Sequence, residues 1–355
     1  MPRSIPLVAD TDAQTLRRTI AEASPPRWRP GRATILSVAL SVAILTVLYR
    51  SIDFRLVIRE LRGVDKKWLI VSVAMIAPIT VLRAIRFYLV APRGTVRNVA
   101  EALRLTLVAT AANVFLPAKS GDLVKSYFVA KARIPVGVSV AVVVYERLCD
   151  LAGLIAWCAL GWVIARPVVS GVPSALWPVL GLFGAACGLL VSSSRIARFG
   201  AAVVARLHMG RLQRVQSLVD GWPGLFQSLG RRRAGVILLS LLLWLVHVIQ
   251  IWMFTVALSI RIPFTVSASL SAVALMIGQL PFSFAGLGAR DVALVVLMRG
   301  YVRPESAAAL GLLISTRNLL PPLAALPIMR PYVATLASEV RVGPRQRSAP
   351  DQGSE

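Results

Sequence analysis

Two segments of this chain place charged residues beside helix breakers in the same order. The first is Leu116-Pro117-Ala118-Lys119-Ser120-Gly121-Asp122-Leu123-Val124-Lys125, and the second runs from Leu280-Pro281 through Gly286-Leu287-Gly288-Ala289 to Arg290-Asp291. Each has Leu-Pro closing an uncharged run, then small residues, then Gly and opposite charges. The correspondence continues downstream. Arg133 lies fourteen residues before Arg147, and Arg303 fourteen before Arg317, with Pro135 and Pro304 just behind the first of each pair. Charges and helix breakers at matching places of two apolar halves point to a membrane transport site.

A charge at the bilayer centre costs roughly 2.5–3.5 kcal/mol, so such residues face a partner, a cavity or a ligand. Here they come in clusters. Arg83 and Arg86 are one helical turn apart, and Glu101–Arg104 and Asp122–Lys125 are each three apart. Glu146 and Asp150 share a helix face, with Arg147 between them. Arg290 adjoins Asp291, and Arg317, followed by Asn318, has no acid in its own segment. Lys119, Lys125, Arg147, Arg290, Arg317, Arg83 and Arg86 outnumber Asp122, Glu146, Asp150 and Asp291. A basic surplus beside broken helices, whose N-terminal ends carry partial positive charge, suits an anion. In a membrane a phosphate means a lipid head group or a lipid-linked sugar. The competing reading is a set of internal ion pairs joining the two repeats. Glu146, Arg147 and Asp150 fit either, with Arg147 serving both neighbouring acids, whereas Arg290 and Arg317 are assigned to ligand contact. No cofactor is expected, nor a metal: only His208 and His247 are present, and His247, alone in an apolar helix, reads as a packed side chain. No nucleophile-elbow, Walker or zincin motif appears.

The elements that must carry these residues are membrane helices. The chain of 355 residues is 56% hydrophobic with a mean hydropathy of +0.70. Segments 33–49, 167–194, 236–260 and 262–289 contain no Asp, Glu, Lys or Arg. A span needs about 17 to 25 apolar residues, and β-barrel alternation is absent. The fold expected is all-α: a polytopic integral membrane protein of about 7–9 membrane segments, an inverted repeat with two re-entrant hairpins. The net charge of +24 gathers between and beyond the runs, with eight Arg and only Asp220 as an acid from Arg195 to Arg233. That is the positive-inside pattern, not a nucleic-acid footprint. Cys149, Cys158 and Cys187 read as small buried hydrophobes, and Trp28, Trp68, Trp162, Trp177 and Trp222 as interface anchors.

Residues 1–32 read as a disordered cytoplasmic arm, 33–330 as the membrane domain and 331–355 as a cytoplasmic tail. A first span at 33–49 precedes an amphipathic surface helix, with Phe54, Val57, Ile58 and Leu61 at helical spacing. With 195–233 and both termini inside, spans follow near 68–90, 145–165, 175–193, 236–258 and 306–329. Residues 100–131 and 264–300 then dip into the membrane from opposite faces. Eight or nine ordinary spans are the alternative.

The motifs also carry a resemblance. Asn113 to Lys125, Tyr145-Glu146-Arg147-Leu148-Cys149-Asp150 and Gly286-Leu287-Gly288-Ala289-Arg290-Asp291 resemble the flippase-like family, the membrane region of lysylphosphatidylglycerol synthases and its stand-alone relatives. Asn113, Pro117, Gly121, Glu146, Arg147, Asp150, Gly286, Gly288 and Arg290 match its pattern, while Lys119, Lys125, Asp122 and Asp291 keep charge sign in place of Arg and Glu, and Ala118 stands where Gly is common. The resemblance spans about residues 33–330. It implies a plasma-membrane lipid translocase, without the soluble synthase domain and not itself an enzyme, that handles an anionic phospholipid or lipid-linked glycan. The alternatives are a membrane enzyme transferring a group onto a lipid or polyprenyl phosphate with Glu146 or Asp122 as base, and a non-catalytic partner that docks a soluble lipid-modifying enzyme through the 195–233 loop. A homo-oligomer is left open.

Overall fold

The computed structural model describes residues 32–115, 121–132, 134–165, 176–193, 195–196, 199, 212–279 and 288–341. Among these there are thirteen helices and no strand. They fall into two series. The first is α1 (Arg32–Arg50), α2 (Phe54–Arg62), α3 (Lys66–Ala74), α4 (Ile76–Val90), α5 (Val99–Phe115), α6 (Leu123–Lys131) and α7 (Val136–Ala165). The second is α8 (Leu176–Ser192), α9 (Leu212–Leu229), α10 (Arg232–Ala257), α11 (Phe264–Ile277), α12 (Ala289–Leu297) and α13 (Pro304–Arg341). Element by element, α3–α4 corresponds to α10, α5 to α11, α6 to α12 and α7 to α13.

Lengths follow composition. Four helical stretches, 66–90, 136–165, 232–257 and 304–332, are long and apolar enough to cross a membrane, and 39–48, 177–192 and 264–277 are shorter apolar helices. The second of these begins at Val136, ahead of the span expected near 145, which sets Glu146 and Asp150 in its interior. The last runs on to Arg341, past the boundary placed near 330. At nine residues each, α6 and α12 are about 13 Å long and cannot cross a hydrocarbon core of about 30 Å. They pack back on α5 and α11 respectively, so each of 100–131 and 264–300 is a helix followed by a short helix folded against it. Residues 116–120 and 280–287 lie outside the described residues.

The two series exchange elements. Helix α5 packs on α13 as α11 packs on α7, and α2 packs on α13 as α9 packs on α7. Helix α4 meets its own counterpart α10. This reciprocal pattern is what a pseudo-two-fold axis produces. The amphipathic helix at 54–62 forms as expected, N-capped by the Asp53 side chain on the Arg55 amide. Its Val57 is buried in the core of the second unit. Reciprocally, Trp222, Leu225 and Phe226 of α9 enter the core of the first. Trp222 is thus a buried residue against Tyr145 and Phe226 and not an interface anchor, because α9 uses its apolar face to cover α7. Trp28 lies outside the described residues. The three cysteines are buried, as their apolar setting implies.

Helices α7 and α11 approach closely at Gly161, where an added Cβ would sit 2.6 Å from the Thr265 carbonyl oxygen. Overpacking of this kind costs about 1–3 kcal/mol. Gly161→Leu is expected to lower the thermal unfolding midpoint of the detergent-solubilised protein, while an unchanged midpoint would contradict the exchanged packing.

Candidate functional site

A cavity of about 160 Å³ takes its walls from both units. That is the size class of engineered cavities that admit a benzene-sized guest. Helix α4 contributes Arg83 and Arg86, α5 contributes Thr106, Thr110 and Asn113, and α6 contributes Lys125 with Asp122 just before it. Helix α7 supplies Glu146, Arg147 and Asp150. From the second unit come Trp244 and His247 of α10, Gln279 after α11, Arg290 of α12, and Arg317 and Asn318 of α13. Residues flanking both helix breaks therefore meet at one place.

The acids are all engaged. Arg86 Nη1 donates to Asp150 Oδ1 at 2.7 Å, and its Nε lies 3.7 Å from Glu146 Oε1. Lys125 Nζ donates to Glu146 Oε2 at 3.1 Å while resting over the Phe87 ring. Arg147 pairs with Asp122, whose other oxygen accepts from Asn113 Nδ2 at 3.2 Å. Trp244 Nε1 adds a bond to Asp150 Oδ1 at 3.0 Å. In the second unit Arg290 donates to Asp291 Oδ1 through Nε at 3.0 Å and Nη2 at 2.6 Å, and also reaches the Gly311 carbonyl and Ser315 Oγ. Asp291 Oδ2 accepts the Gly288 amide at 3.1 Å. Gly288 holds φ 85°, a left-handed conformation that any other L-residue adopts under strain.

Several expectations change. Arg147 serves Asp122 rather than Glu146 and Asp150, because Lys125 and Arg86 already hold those two acids. Arg290, assigned to a ligand, is fully engaged by its own unit and 2% exposed. Glu101 does not pair with Arg104: it accepts the Arg97 amide at 2.7 Å while Asn98 caps the Glu101 amide, a reciprocal box that starts α5. Gly121 lies against the backbone of α5 at Asn113 and Ala109. Lys119 and Gly286 lie outside the described residues.

Among the described residues of the cavity, two guanidiniums are in no ion pair. Arg83 donates to His247 Nε2 at 3.4 Å. His247 Nδ1 bonds the Leu243 carbonyl at 2.9 Å; a carbonyl only accepts, so Nδ1 carries the proton and Nε2 accepts from Arg83. Arg317 has a buried Nη1 without a hydrogen-bond partner, and among the described residues no ion pair reaches it. The residues whose charges act on it most, Arg83 and Arg290, are both positive. In α7 the corresponding Arg147 has Asp122, whereas in α13 the corresponding acid, Asp291, has been taken by its neighbour Arg290. Pro321 and Pro322 remove the intrahelical donors to the Arg317 and Asn318 carbonyls, loosening α13 at this point.

The sequence matches the family described as the lysylphosphatidylglycerol synthase TM region over residues 34–325. The chain belongs to that family. No curated protein and no solved structure matches it. Family and apolar helices together make it a multi-pass membrane protein of a group tied to lipid synthesis. The residues that sequence reasoning passed over in this member are neutral ones: Thr106, Thr110, Gln279 and Trp244. The four-residue step from Thr106 to Thr110, continued by Asn113, gave α5 a polar stripe that the search for charges left unread.

Breaking a buried pair by removing one partner costs about 3–5 kcal/mol. Arg86→Ala, which strands Asp150, is expected to destabilise the protein by about that much, and joint replacement of Arg86 and Asp150 by apolar residues to recover most of it. Equal stability of Arg86→Ala and Arg317→Ala in thermal unfolding would contradict this division between paired and unpaired arginines.

Proposed function

We propose that the protein is a lipid translocase that takes an anionic phospholipid or lipid-linked glycan head group into this cavity and passes it between leaflets. The observation that carries this reading is the pair Arg83 and Arg317, one from each unit, lining one cavity without an acid partner. Guanidiniums in a poorly hydrated site are costly unless compensated, and a phosphate group offers oxygens in the geometry their forks match. On this reading each unit crosses the membrane three times, by α1, α3–α4 and α7 and by α8, α10 and α13, and its short helix pair returns to the face it entered from. The second unit is then inverted relative to the first, which is the arrangement alternating access uses. Both termini on this reading lie on one side, taken as cytoplasmic from the Arg-rich 195–233 segment, in the plasma membrane.

Group transfer is the less supported alternative. Glu146 and Asp122, the acids that could act as bases, are each engaged by a cation. A soluble lipid-modifying enzyme docked on the 195–233 segment remains compatible with translocation.

The test is leaflet exchange of fluorescent phosphatidylglycerol by protein reconstituted in vesicles. Arg83→Ala and Arg317→Ala are expected to reduce exchange at least tenfold while keeping the wild-type unfolding midpoint, since neither removes an ion pair. Full exchange by both variants, or loss of folding in both, would sink the ligand role.

A further inference from the structure

We propose that the cavity selects a phosphate carrying two negative charges, such as a terminal phosphomonoester, over a singly charged phosphodiester. This rests on the translocase reading and sharpens it to a substrate class.

The argument is one of charge. Six basic residues line the cavity among the described residues, Arg83, Arg86, Lys125, Arg147, Arg290 and Arg317. Four acids face them, and each takes one: Asp150 takes Arg86, Glu146 takes Lys125, Asp122 takes Arg147 and Asp291 takes Arg290. Two positive charges are left, on Arg83 and Arg317. A guanidinium has no acceptor and keeps its charge at any working pH, so neither can be relieved by proton loss. A phosphodiester cancels one of the two, and a phosphate dianion cancels both.

The place of the surplus is also set by the fold. In the first unit the α7 arginine is neutralised by the acid at the start of α6. In the second unit the equivalent acid, Asp291, is immobilised by three donors, Arg290 Nε, Arg290 Nη2 and the Gly288 amide. Gly311 has no side chain, and a Cβ there would sit 2.7 Å from Asp291 Oδ1, so the carboxylate lies flush against α13 at that turn. The Gln279 amide supplies a further buried nitrogen without a partner on the same cavity. Charge-assisted bonds from two forks and an amide suit the several oxygens of a phosphate terminus.

The pH signature is specific. A phosphomonoester gains its second charge near pH 6, whereas a phosphodiester does not titrate there. Arg83 is faced by Asp150, Arg86, Arg147, Asp122 and His247, and Arg317 by Arg83, Arg290 and His247. His247 is buried with both ring nitrogens engaged, Nδ1–H on the Leu243 carbonyl and Nε2 accepting from Arg83, so the pH response is carried by the ligand.

The experiment measures binding of phosphatidic acid, phosphatidylglycerol and inorganic phosphate to the full chain in phosphatidylcholine nanodiscs between pH 5 and 8. Phosphatidic acid is expected to bind at least tenfold tighter than phosphatidylglycerol at pH 7.5, the scale of one charge-assisted hydrogen bond. That preference should fall towards parity at pH 5, with phosphatidylglycerol affinity flat or rising. Arg83→Gln and Arg317→Gln should each abolish it. Competition by inorganic phosphate as tight as phosphatidic acid would assign the same dianion chemistry to a free ion; no competition at millimolar phosphate assigns it to a lipid. Equal affinity of the two lipids, still dependent on Arg83 and Arg317, overturns the dianion preference and leaves the anion site standing. Binding independent of both arginines overturns the site as well. The wild-type selectivity and pH profile decide the proposal even if a variant fails to fold.

Discussion

The contact between Arg290 and Asp291 decides what the cavity can be. By the correspondence of the two units, Asp291 stands where Asp122 stands, and Asp122 neutralises Arg147. Had Asp291 neutralised Arg317 in the same way, Arg290 would be the uncompensated guanidinium of the second unit in its place. Instead an adjacent arginine holds the carboxylate, with Ser315 and the Gly311 carbonyl completing the cage. Arg317 is left with positive neighbours in a place where an isolated charge costs several kcal/mol. On the reading proposed here, an anionic ligand supplies the missing negative charge.

The rest of the architecture serves that arrangement. Exchange of α2 and α9 between the units buries the apolar face of each against the long helix of the other, tying the halves together away from the charges. The cavity can then hold an incomplete polar network without depending on it for stability. Within it, the paired residues Arg86, Lys125, Glu146 and Asp150 belong to the first unit and act as a fixed polar wall. The bend point lies elsewhere, at Pro321–Pro322 beside Arg317. A segment with removed hydrogen bonds moves at lower cost than regular helix, and here it adjoins the unpaired charge.

Much of this was legible in the sequence. The repeated Leu-Pro and Gly-acid signatures located both short helix pairs, and the spacing from Arg133 to Arg147 and from Arg303 to Arg317 identified the two corresponding arginines. Clustering of charge in apolar sequence brought Arg83, Arg86, Asn113, Asp122, Lys125, Glu146, Arg147, Asp150, Arg290 and Arg317 to one place, and the structure puts all ten on one cavity. Partner choice was not legible. Arg147 lies beside Glu146 and three residues from Asp150, yet pairs with Asp122 at the start of another helix: Glu146 points to a different face, and Asp150 is already held by Arg86. Arg290 and Asp291 pair despite adjacency because Asp291 caps its own helix start and brings its carboxylate back over the first turn. Arg83 gave no sign of being the second unpaired cation, since only the fold reveals that Asp150 chooses Arg86.

The most direct test is a cryo-EM reconstruction of the protein in nanodiscs containing native lipids, at a resolution that defines side chains and phosphate. The account predicts compact density between the Arg83 and Arg317 guanidiniums, continuous with a lipid chain, while Asp291 stays on Arg290. An Asp291 carboxylate, or any other acid of the chain, seated on Arg317 with no density between the two arginines would contradict it.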